Sequence, residues 1–347
     1  MGTTKKAVSI WDVAKHAGVS HQTVSRVVNG SPRVAAATRE KVLAAIEELG
    51  YRPNRLARTL AGGAAQSVTV LTADTSLYGA EASLRGIERA ARSVGWSVSI
   101  SVLDPDETHS DKDIMARLPR AGEPVIIIAH DEPGMRAERV LTAVQPQAMI
   151  AIGRYAYGQT EDPPLLVGLD DGEAGAEATR YLLGLGHETV HHLAIPTSQG
   201  NAEGGRSHRA DGWAAALREA GRPVPEMVKT GWTIPEAFES VRALVADPSV
   251  TAILCGNDDL ALATLRAAHL AGRDVPGDLS VVGFDNAPFS AYITPALTTV
   301  NQDFENVGKS AFELLRHRLD PSIPRPEPAW RAPELVIRES SGPPRRR

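Results

Sequence analysis

The chain contains 347 residues, of which 42% are hydrophobic, 23% charged and 5% aromatic, and its formal net charge is −5. The length predicts roughly two or three domains with sizeable cores, and the single cysteine, Cys255, excludes an internal disulfide and a multi-cysteine zinc site. No segment approaches the ~18 uninterrupted apolar residues of a membrane span, and the N-terminus lacks the apolar region of a signal peptide, so we expect a cytoplasmic protein.

Charge is divided unequally along the chain. Residues 1–63 contain ten Lys and Arg but only four Asp and Glu, so their net charge is +6 and the remainder carries −11. A basic head on an acidic body is expected of a nucleic-acid-binding module fused to a second function. A solvated basic face would give the same count, so the residue pattern of the head has to separate the two interpretations.

The head is predicted to fold as three short helices. Ile10–Ala17 have apolar residues at the i, i+3, i+4, i+7 spacing of one helix face, and Gly18 ends this helix because glycine adopts the left-handed conformation of a tight turn. Ser20 can cap a second helix, HQTVSRVVN, which completes a helix-turn-helix. A third helix runs from about residue 38 and ends at Gly50. Its core-facing residues are Val42, Leu43, Ala45, Ile46 and Leu49.

The outer face of the second helix is predicted to contact DNA. A helix-turn-helix packs its two helices across each other and leaves this face open. Arg can donate two hydrogen bonds to guanine, and Gln can pair with adenine in the same way. The residues on this face are His21, Gln22, Ser25, Arg26 and Asn29.

This head resembles that of the lactose/galactose repressor (LacI/GalR) family. The resemblance runs nearly without gaps through IWDVAKHAGVSHQTVSRVVNG and TREKVLAAIEELGYRPNRLARTLAGG. It implies that His21, Gln22 and Arg26 read bases. Contacts to the DNA backbone or to flanking bases are implied for Ser20, Thr23, Ser25, Asn29 and Arg33. Thr23 and Ser25 could instead simply fill the helix.

The segment YRPNRLARTLAGG is predicted to form a hinge helix. Pro53 pre-sets its first turn and Gly62 stops it, and a helix this short is marginal alone in water, so we expect it to form on a partner. The resemblance implies that it orders on DNA beside its twin in a dimer. Asn54, Ala57 and Leu60 would then contact DNA, with Leu60 wedged between base pairs in the minor groove. Alternatively, Leu60 packs on the core of an interdomain linker.

From Gln66 onward, short apolar strands alternate with amphipathic helices, which predicts parallel sheets covered on both faces. A first series runs from SVTVLTAD to AMIAIG, and a second from LLVGLD to LSVVGFD. The predicted fold class is therefore a small all-α helix-turn-helix head plus an α/β body of two doubly wound parallel-sheet lobes. A ligand would bind in the crevice at the carboxyl ends of the strands. The resemblance extends to about residue 340 and implies lobes of the periplasmic-binding-protein type.

Domain limits follow from these patterns. The segment ALTTVNQDF with the helix after it is expected to return to the first lobe, and APELVIRES to add an edge strand to the second. SSGPPRRR is expected to be a disordered tail, and because no leucine-heptad segment follows the core we expect a dimer.

The predicted parts are a head (1–52), a hinge helix and linker (53–65), an effector-binding and dimerisation core (66–340) and the tail (341–347). Lobe 1 comprises about 66–164 and 302–322, and lobe 2 about 165–301 and 323–340.

The resemblance also implies the effector-binding residues. Arg209 falls on the family's effector arginine, and Asn257 and Asp285 on two hydroxyl-binding positions. Trp232 and Phe304 fall on aromatic positions that flank a bound sugar. The pocket-lining positions of the first lobe are Leu77, Gly79, Ala80 and Ser83, and Gln302 is a further neighbour.

This set of residues favours a mono- or disaccharide over a purine. Sugar hydroxyls accept hydrogen bonds from Arg or Asn and donate to a carboxylate, and sugar C–H faces stack on an indole. A buried Asp rejects analogues that lack the matching hydroxyl, because it would be left unpaired. Lactose-type repressors have a carboxylate after the fourth strand where this chain has Gly153 and Arg154. Arg154 could bind an additional hydroxyl or an acidic sugar, or lie at the surface.

Several residues have a plainer interpretation. Asn257 could be only the N-cap of the helix after it, and Asp258 is expected to be a capping or structural residue. Trp213 is expected to pack in the core. His191 and His192 are expected to be ordinary strand residues. Tyr78 and Glu81 depart from the family pattern and would alter the shape or polarity of the pocket.

We therefore expect a transcriptional regulator that binds a palindromic operator on double-stranded DNA as a homodimer and is released by a saccharide inducer. It would be cytoplasmic, nucleoid-associated when bound, and without a cofactor, metal or membrane partner. A corepressor-dependent regulator or an activator remains open, whereas the DNA-binding head opposes a solute-binding protein. The sequence shows no nucleophile elbow, P-loop or glycine-rich dinucleotide turn, so an enzyme is not expected.

Overall fold

The computed structural model of the protein divides into two units, residues 1–66 and residues 67–347. The structure describes residues 8–28, 33–51, 67–103, 110–117, 123–129, 132–144, 149–153, 166–168, 171–195, 208–231, 233–326 and 333–345. The predicted hinge, Asn29, Arg154 and Trp232 lie outside these ranges. Within them, no helix is long and apolar enough to cross a membrane.

The first unit contains the helices α1 (Ile10–Ala17), α2 (His21–Val28) and α3 (Ala36–Leu49). Their core contains the fully buried Val13, Val24 and Val42. Gly18 and Gly50 end α1 and α3 with φ of 67° and 61°, and the Ser20 hydroxyl accepts the Thr23 N–H at 3.1 Å. These helices and caps confirm the predicted helix-turn-helix.

Leu43 was predicted to face the core of the first unit but is 51% exposed. Val42, Ala45, Ile46 and Leu49 follow the 3.6-residue period of one helix face. Leu43 is one residue after Val42 and therefore points about 100° away from that face. The apolar run V-L-A-A-I conceals this difference in the sequence.

The second unit begins with a five-stranded parallel sheet in the order β2-β1-β3-β4-β5. Its elements are β1 (Ser67–Thr72), α4 (Tyr78–Ser93), β2 (Ser97–Val102), α5 (Asp111–Arg117), β3 (Val125–Ala129), α6 (Glu132–Val144), β4 (Met149–Gly153) and β5 (Leu166–Gly168). Every residue of β3 and β4 is buried, which explains why both read as continuous apolar runs.

A six-stranded sheet follows, in the order β11-β10-β9-β8-β6-β7, with only β11 antiparallel to its neighbour. Its helices and strands are α7 (Asp171–Gly184), β6 (His191–Ala194), α8 (His208–Glu219), β7 (Val228–Lys229), α9 (Ile234–Ala246), β8 (Ala252–Cys255), α10 (Asp258–Leu270), β9 (Ser280–Asp285), β10 (Thr298–Asn301), α11 (Phe304–Leu319) and β11 (Glu334–Val336). β11 confirms the predicted edge strand.

One assignment of a segment to a lobe was wrong. LLVGLD does not begin the second series, because Leu166 and Val167 of β5 pair with Ala151 and Ile152 of β4 in the first sheet. β10 lies within the predicted bounds of lobe 2 and pairs with β9 in the second sheet, so the chain returns to the first sheet with α11 and not with the whole of ALTTVNQDF. Alternation of strands and helices predicts the elements but does not specify which sheet a short strand joins.

The C-terminal segment is ordered through residue 345, so the predicted disordered tail is wrong for 341–345. The Ser340 hydroxyl donates to the Val281 carbonyl at 2.6 Å, and the Gly342 carbonyl accepts from the Ser280 hydroxyl at 2.9 Å. Arg345 pairs with Asp274 at 2.6 Å. A polar, proline-containing composition resembles that of a free tail, but here it supplies hydrogen bonds to the second sheet.

Candidate DNA interface and effector site

Two side chains of α2 form an open polar face. Gln22 and Arg26 are exposed and one helical turn apart, whereas Val24 and Val27 on the opposite face are buried. His21 and Ser25 are half-buried beside them. This geometry suits Arg and Gln for hydrogen bonds to base edges in a major groove.

The other predicted DNA contacts have different surroundings. The Ser20 and Thr23 hydroxyls lie 2.9 Å apart at the start of α2, so both take part in the helix cap, and Arg33 is exposed before α3. The structure also identifies a neighbour that sequence reasoning missed. The Trp11 ring is 62% exposed and its centroid lies 4.0 Å from that of His21. Trp11 lies outside the apolar stripe of α1. This position was the only signal in the sequence that could have identified Trp11 as an exposed neighbour of α2.

The effector site predicted in the second unit lies at the C-terminal edge of the second sheet. Asn257 follows β8, Asp285 ends β9 and Gln302 follows β10. These strands are adjacent and parallel, so their ends meet at one edge, and Arg209 from α8 reaches the same place. We call Asp171, Arg209, Asn257, Asp285 and Gln302 the crevice site.

Arg209 is the centre of the crevice site. Its Nε donates to Asp171 at 2.9 Å, its Nη2 donates to the Gln302 side-chain oxygen at 2.9 Å, and its Nη1 donates to the Gly256 carbonyl. Nη2 also lies 3.3 Å from the Asp285 carboxylate. The guanidinium stacks on the Phe284 ring at 3.9 Å. These contacts fix the orientation of the planar group.

Glycines bring the helices that carry Asp171 and Arg209 together. A Cβ on Gly212 of α8 would lie 1.8 Å from the Gly172 carbonyl oxygen, and one on Gly175 of α7 would lie 2.3 Å from the Arg209 carbonyl oxygen. Only residues without a side chain permit this backbone approach. Asp171 was absent from the sequence-based site, because an Asp at a helix start normally indicates no more than a favourable first turn.

The backbone at Asp285 has a φ of 106°, a region that side-chain-bearing residues adopt only where their surroundings hold them. Asp258 supplies that support. It accepts the Ala287 N–H at 2.7 Å and the Ser290 hydroxyl at 2.6 Å on one oxygen, and the Thr299 hydroxyl at 2.6 Å on the other. Burial raises the pKa of Asp258 to about 6, although these donors favour the carboxylate. Asp258 is therefore structural, as expected.

Asn257 is buried, and its Oδ1 accepts the Leu260 N–H at 2.9 Å. The side-chain oxygen of Asn257 therefore acts as the N-cap of α10, as the simpler interpretation predicts. The amide nitrogen is not used by the cap. Asn257 can serve both as a cap through its oxygen and as a hydrogen-bond donor to a ligand through its nitrogen.

Residues from two helices that pack on the first sheet form a second group. The Phe304 ring covers Gly79, since a Cβ on Gly79 would lie 2.9 Å from Phe304 Cζ. Tyr78 meets Phe304 edge to face at 6.2 Å. Burial raises the pKa of Tyr78, the charge of Arg85 opposes that rise, and the charge of Asp285 adds to it. The electrostatics of Tyr78 are therefore coupled to the crevice site.

The remaining predicted residues of the first lobe are distributed differently. Leu77 is half-buried at the start of α4, whereas Ala80 is buried in the core of the first sheet. Ser83 is fully buried where α4 meets α11, since a Cβ on Gly308 would lie 2.0 Å from its carbonyl oxygen. Glu81 is exposed and pairs with Arg85 at 2.7 Å.

Trp213 and His192 are core residues, as expected. Their rings stack at 5.3 Å, the Trp213 indole donates to the Val190 carbonyl at 2.8 Å, and His192 Nδ1 lies 2.8 Å from the Leu254 carbonyl. Burial lowers the pKa of His192 to about 4. In the described part of the chain, no group of three or more His, Cys, Asp or Glu is arranged to hold a metal ion.

Comparisons with known proteins agree with this architecture. Residues 9–54 match the model of bacterial regulatory proteins of the lacI family, and residues 179–341 match that of a periplasmic binding protein-like domain. Catabolite control protein A of Priestia megaterium is 34% identical over 314 residues, which cover 89% of this chain and 91% of that protein.

Two solved structures extend the comparison to three dimensions. The lac repressor dimer bound to operator and the anti-inducer ONPF has a TM-score of 0.78 and 30% identity, and covers 97% of this chain and 100% of its own. The complex of the transcriptional regulator CelR with cellobiose has a TM-score of 0.64 and 26% identity, and covers 96% and 100%. The head, the two-sheet body and these similarities together show that the chain belongs to the LacI family of DNA-binding transcriptional regulators.

Proposed function

We propose that the protein is a sugar-responsive repressor that binds a palindromic operator as a homodimer and is released by a mono- or disaccharide inducer. One observation carries the proposal. The chain that exposes Gln22 and Arg26 on a recognition helix also orients Arg209 beside Asp285 at the edge of a parallel sheet. A ligand-controlled regulator needs both features.

The chemistry of the crevice site supports a saccharide. Arg209 offers N–H donors and Asp285 an acceptor 3.3 Å away, a spacing that suits hydroxyls that both accept and donate. Phe304 would supply an aromatic face for sugar C–H groups. The sequence resemblance gives Trp232 the same role. CelR, similar to this chain over 96% of its length, has been solved with cellobiose.

Exposed apolar side chains support a dimer. Ile100 and Val102 on the edge strand β2 and Met115 on α5 are exposed, and Tyr292 is 87% exposed. Such apolar residues favour association because burial removes them from water. The similar lac repressor structure is a dimer on operator. A two-fold dimer would place one α2 on each half of a palindromic site.

Release by a sugar requires differential binding. The ligand can shift the dimer away from DNA only if it binds the DNA-incompetent arrangement more tightly. In this proposal the sugar contacts both lobes, and their closure moves the paired first lobes and the hinge segment with Asn54, Ala57 and Leu60. This mechanism involves no catalytic step or cofactor. Because its partner is operator DNA, we infer a cytoplasmic protein that is associated with the nucleoid when bound.

Fluorescence anisotropy on labelled DNA from upstream of its own gene tests this function. The titration is run near physiological salt, because phosphate contacts make affinity steeply salt-dependent, and mono- and disaccharides are then added singly. We expect tight binding that one sugar reverses. Binding that appears only with a ligand would replace the inducer mechanism with corepression, and binding indifferent to every sugar would reject the saccharide effector.

A further inference from the structure

The positive charge of Arg209 is already balanced inside the crevice site. The guanidinium is 2.9 Å from Asp171 and 3.3 Å from Asp285, and the three side chains are only 5%, 0% and 10% exposed. Charges this deeply buried are screened much less than surface charges. Among the residues that the structure describes, one guanidinium therefore faces two carboxyl groups, and these three residues together contribute a negative local charge.

Hydrogen bonds hold Asp171 in the position that balances Arg209. One carboxylate oxygen accepts from Arg209 Nε and the other from Gln302 Nε2, while the Gln302 oxygen accepts from Arg209 Nη2. These three side chains form a closed ring. Asp171 thus accepts a hydrogen bond on each carboxylate oxygen, and it lies in the first turn of α7, where a helix stabilises negative charge.

This ring has a consequence for the charge of the ligand. An anionic group bound at Arg209 would lie close to Asp171 and Asp285, and like charges repel strongly where water is excluded. A neutral polyol avoids that repulsion, since its hydroxyls accept from the guanidinium and donate to Asp285. We propose that Asp171, positioned by Gln302, makes the crevice site selective for uncharged polyhydroxyl ligands over their phosphorylated or carboxylated analogues. This proposal rests on the proposed function only in taking the crevice as the effector site.

Inorganic phosphate is the probe, because it tests anion affinity without knowledge of the effector. Calorimetric titrations at constant ionic strength compare the full-length protein with Asp171→Asn, which is nearly isosteric and removes one charge. We expect Asp171→Asn to bind phosphate at least about tenfold more tightly than the wild type, and Asp171→Asn/Arg209→Met to lose that gain. Phosphate bound by the basic head is common to all variants, so only differences between variants count.

Gln302→Met is the matched control, because it breaks the same ring without changing its charge. Gln302→Met should show no gain in phosphate affinity. If Asp171 had a merely structural role, Gln302→Met and Asp171→Asn would change phosphate affinity equally. Circular dichroism verifies that each variant is folded, and Asp171→Ser replaces Asp171→Asn if the latter is not.

Two results would overturn the proposal. One is a folded Asp171 variant without a gain in phosphate affinity. The other is wild-type phosphate binding that Arg209→Met or Arg154→Ala abolishes. The proposed function fails by a different result, namely operator binding that no sugar affects. The phosphate affinities of the variants can still be compared in that case.

Discussion

The Trp11 indole lies 4.0 Å from the His21 imidazole, with the two rings tilted by 33°. Trp11 belongs to α1 and His21 to the first turn of α2, so this contact joins the two helices on the surface that carries the residues predicted to read bases. An exposed tryptophan that packs on a side chain predicted to contact DNA restricts the rotamers of that side chain before DNA binds, which would lower the entropic cost of binding.

We therefore expect Trp11→Ala to weaken operator binding about tenfold, corresponding to about 1.4 kcal/mol, with little change in thermal stability because the ring is largely exposed. Trp11→Phe retains an aromatic partner for His21 and should recover most of the affinity. Anisotropy titrations with operator DNA measure both variants. Equal affinity of Trp11→Ala and wild type would show that the contact does not position His21.

Arg26 should contribute sequence specificity rather than charge alone. We expect Arg26→Ala to lose about 1–3 kcal/mol of discrimination between the operator and a variant with one changed base pair. Lys41→Ala removes the same charge from an exposed position of α3 and should leave that discrimination unchanged. Competition titrations with the two DNAs measure it, and an equal loss in both variants would reduce Arg26 to a phosphate contact.

The close contact of α7 and α8 should be sensitive to a single methyl group. Gly212→Ala would place a Cβ 1.8 Å from the Gly172 carbonyl oxygen, so the helices must separate, at a cost on the order of 1–3 kcal/mol. Separation would also lengthen the Asp171–Arg209 contact and weaken sugar binding. Denaturant unfolding and sugar titration measure the two effects.

Gly184→Ala is the control for Gly212→Ala. Gly184 lies at the end of the same α7, and a Cβ there meets nothing within 4 Å. Its replacement should leave stability unchanged or raise it by up to about 1 kcal/mol. Equal destabilisation by both substitutions would show that the loss of glycine, rather than the helix contact, is responsible.

His192 makes stability depend on pH. Its pKa falls from 6.5 to about 4 on burial, so the unfolded chain binds a proton that the folded protein rejects. The stability contributed by neutral His192 is complete above pH 6.5, and up to about 3 kcal/mol is lost as the pH falls toward 4. Unfolding free energies at pH 7 and pH 5 measure this loss.

His192→Phe keeps an aromatic ring against Trp213 but cannot titrate. Its unfolding free energy should therefore fall less than that of the wild type between pH 7 and pH 5. Asp258 acts in the opposite sense. Because its pKa is raised to about 6 in the folded protein, the unfolded chain loses this proton first, and the free energy of unfolding falls as the pH rises from about 4 to 6. Only the difference between variant and wild type isolates His192, and parallel pH profiles would contradict its role.

Local signals in the sequence were sufficient for the head. Gly18, Ser20 and Gly50 mark helix ends through their own backbone preferences and short-range hydrogen bonds, and the structure has those ends. Leu43 was misplaced because a one-residue step along a helix changes the face, a difference that a continuous apolar run conceals.

Long-range pairing could not be predicted in the same way. β5 joins the first sheet through backbone hydrogen bonds to β4, and neither strand contains a residue that specifies this partner. Asp171 was missed for a related reason, since its role depends on α7 approaching α8 through Gly175 and Gly212. Arg209 and Asp285 came from the resemblance to the family, and the structure brings them to 3.3 Å.

In the proposed function, a sugar bound at the crevice site releases the operator. The most direct test is to titrate the releasing sugar into operator complexes of the wild type and of Asp285→Asn. Asn keeps the shape of Asp and tolerates its unusual backbone conformation, but it cannot accept through a charged oxygen. Asp285→Asn should bind the operator like the wild type yet need about ten to one hundred times more sugar for release. Identical sugar dependence of the two proteins would contradict the claim.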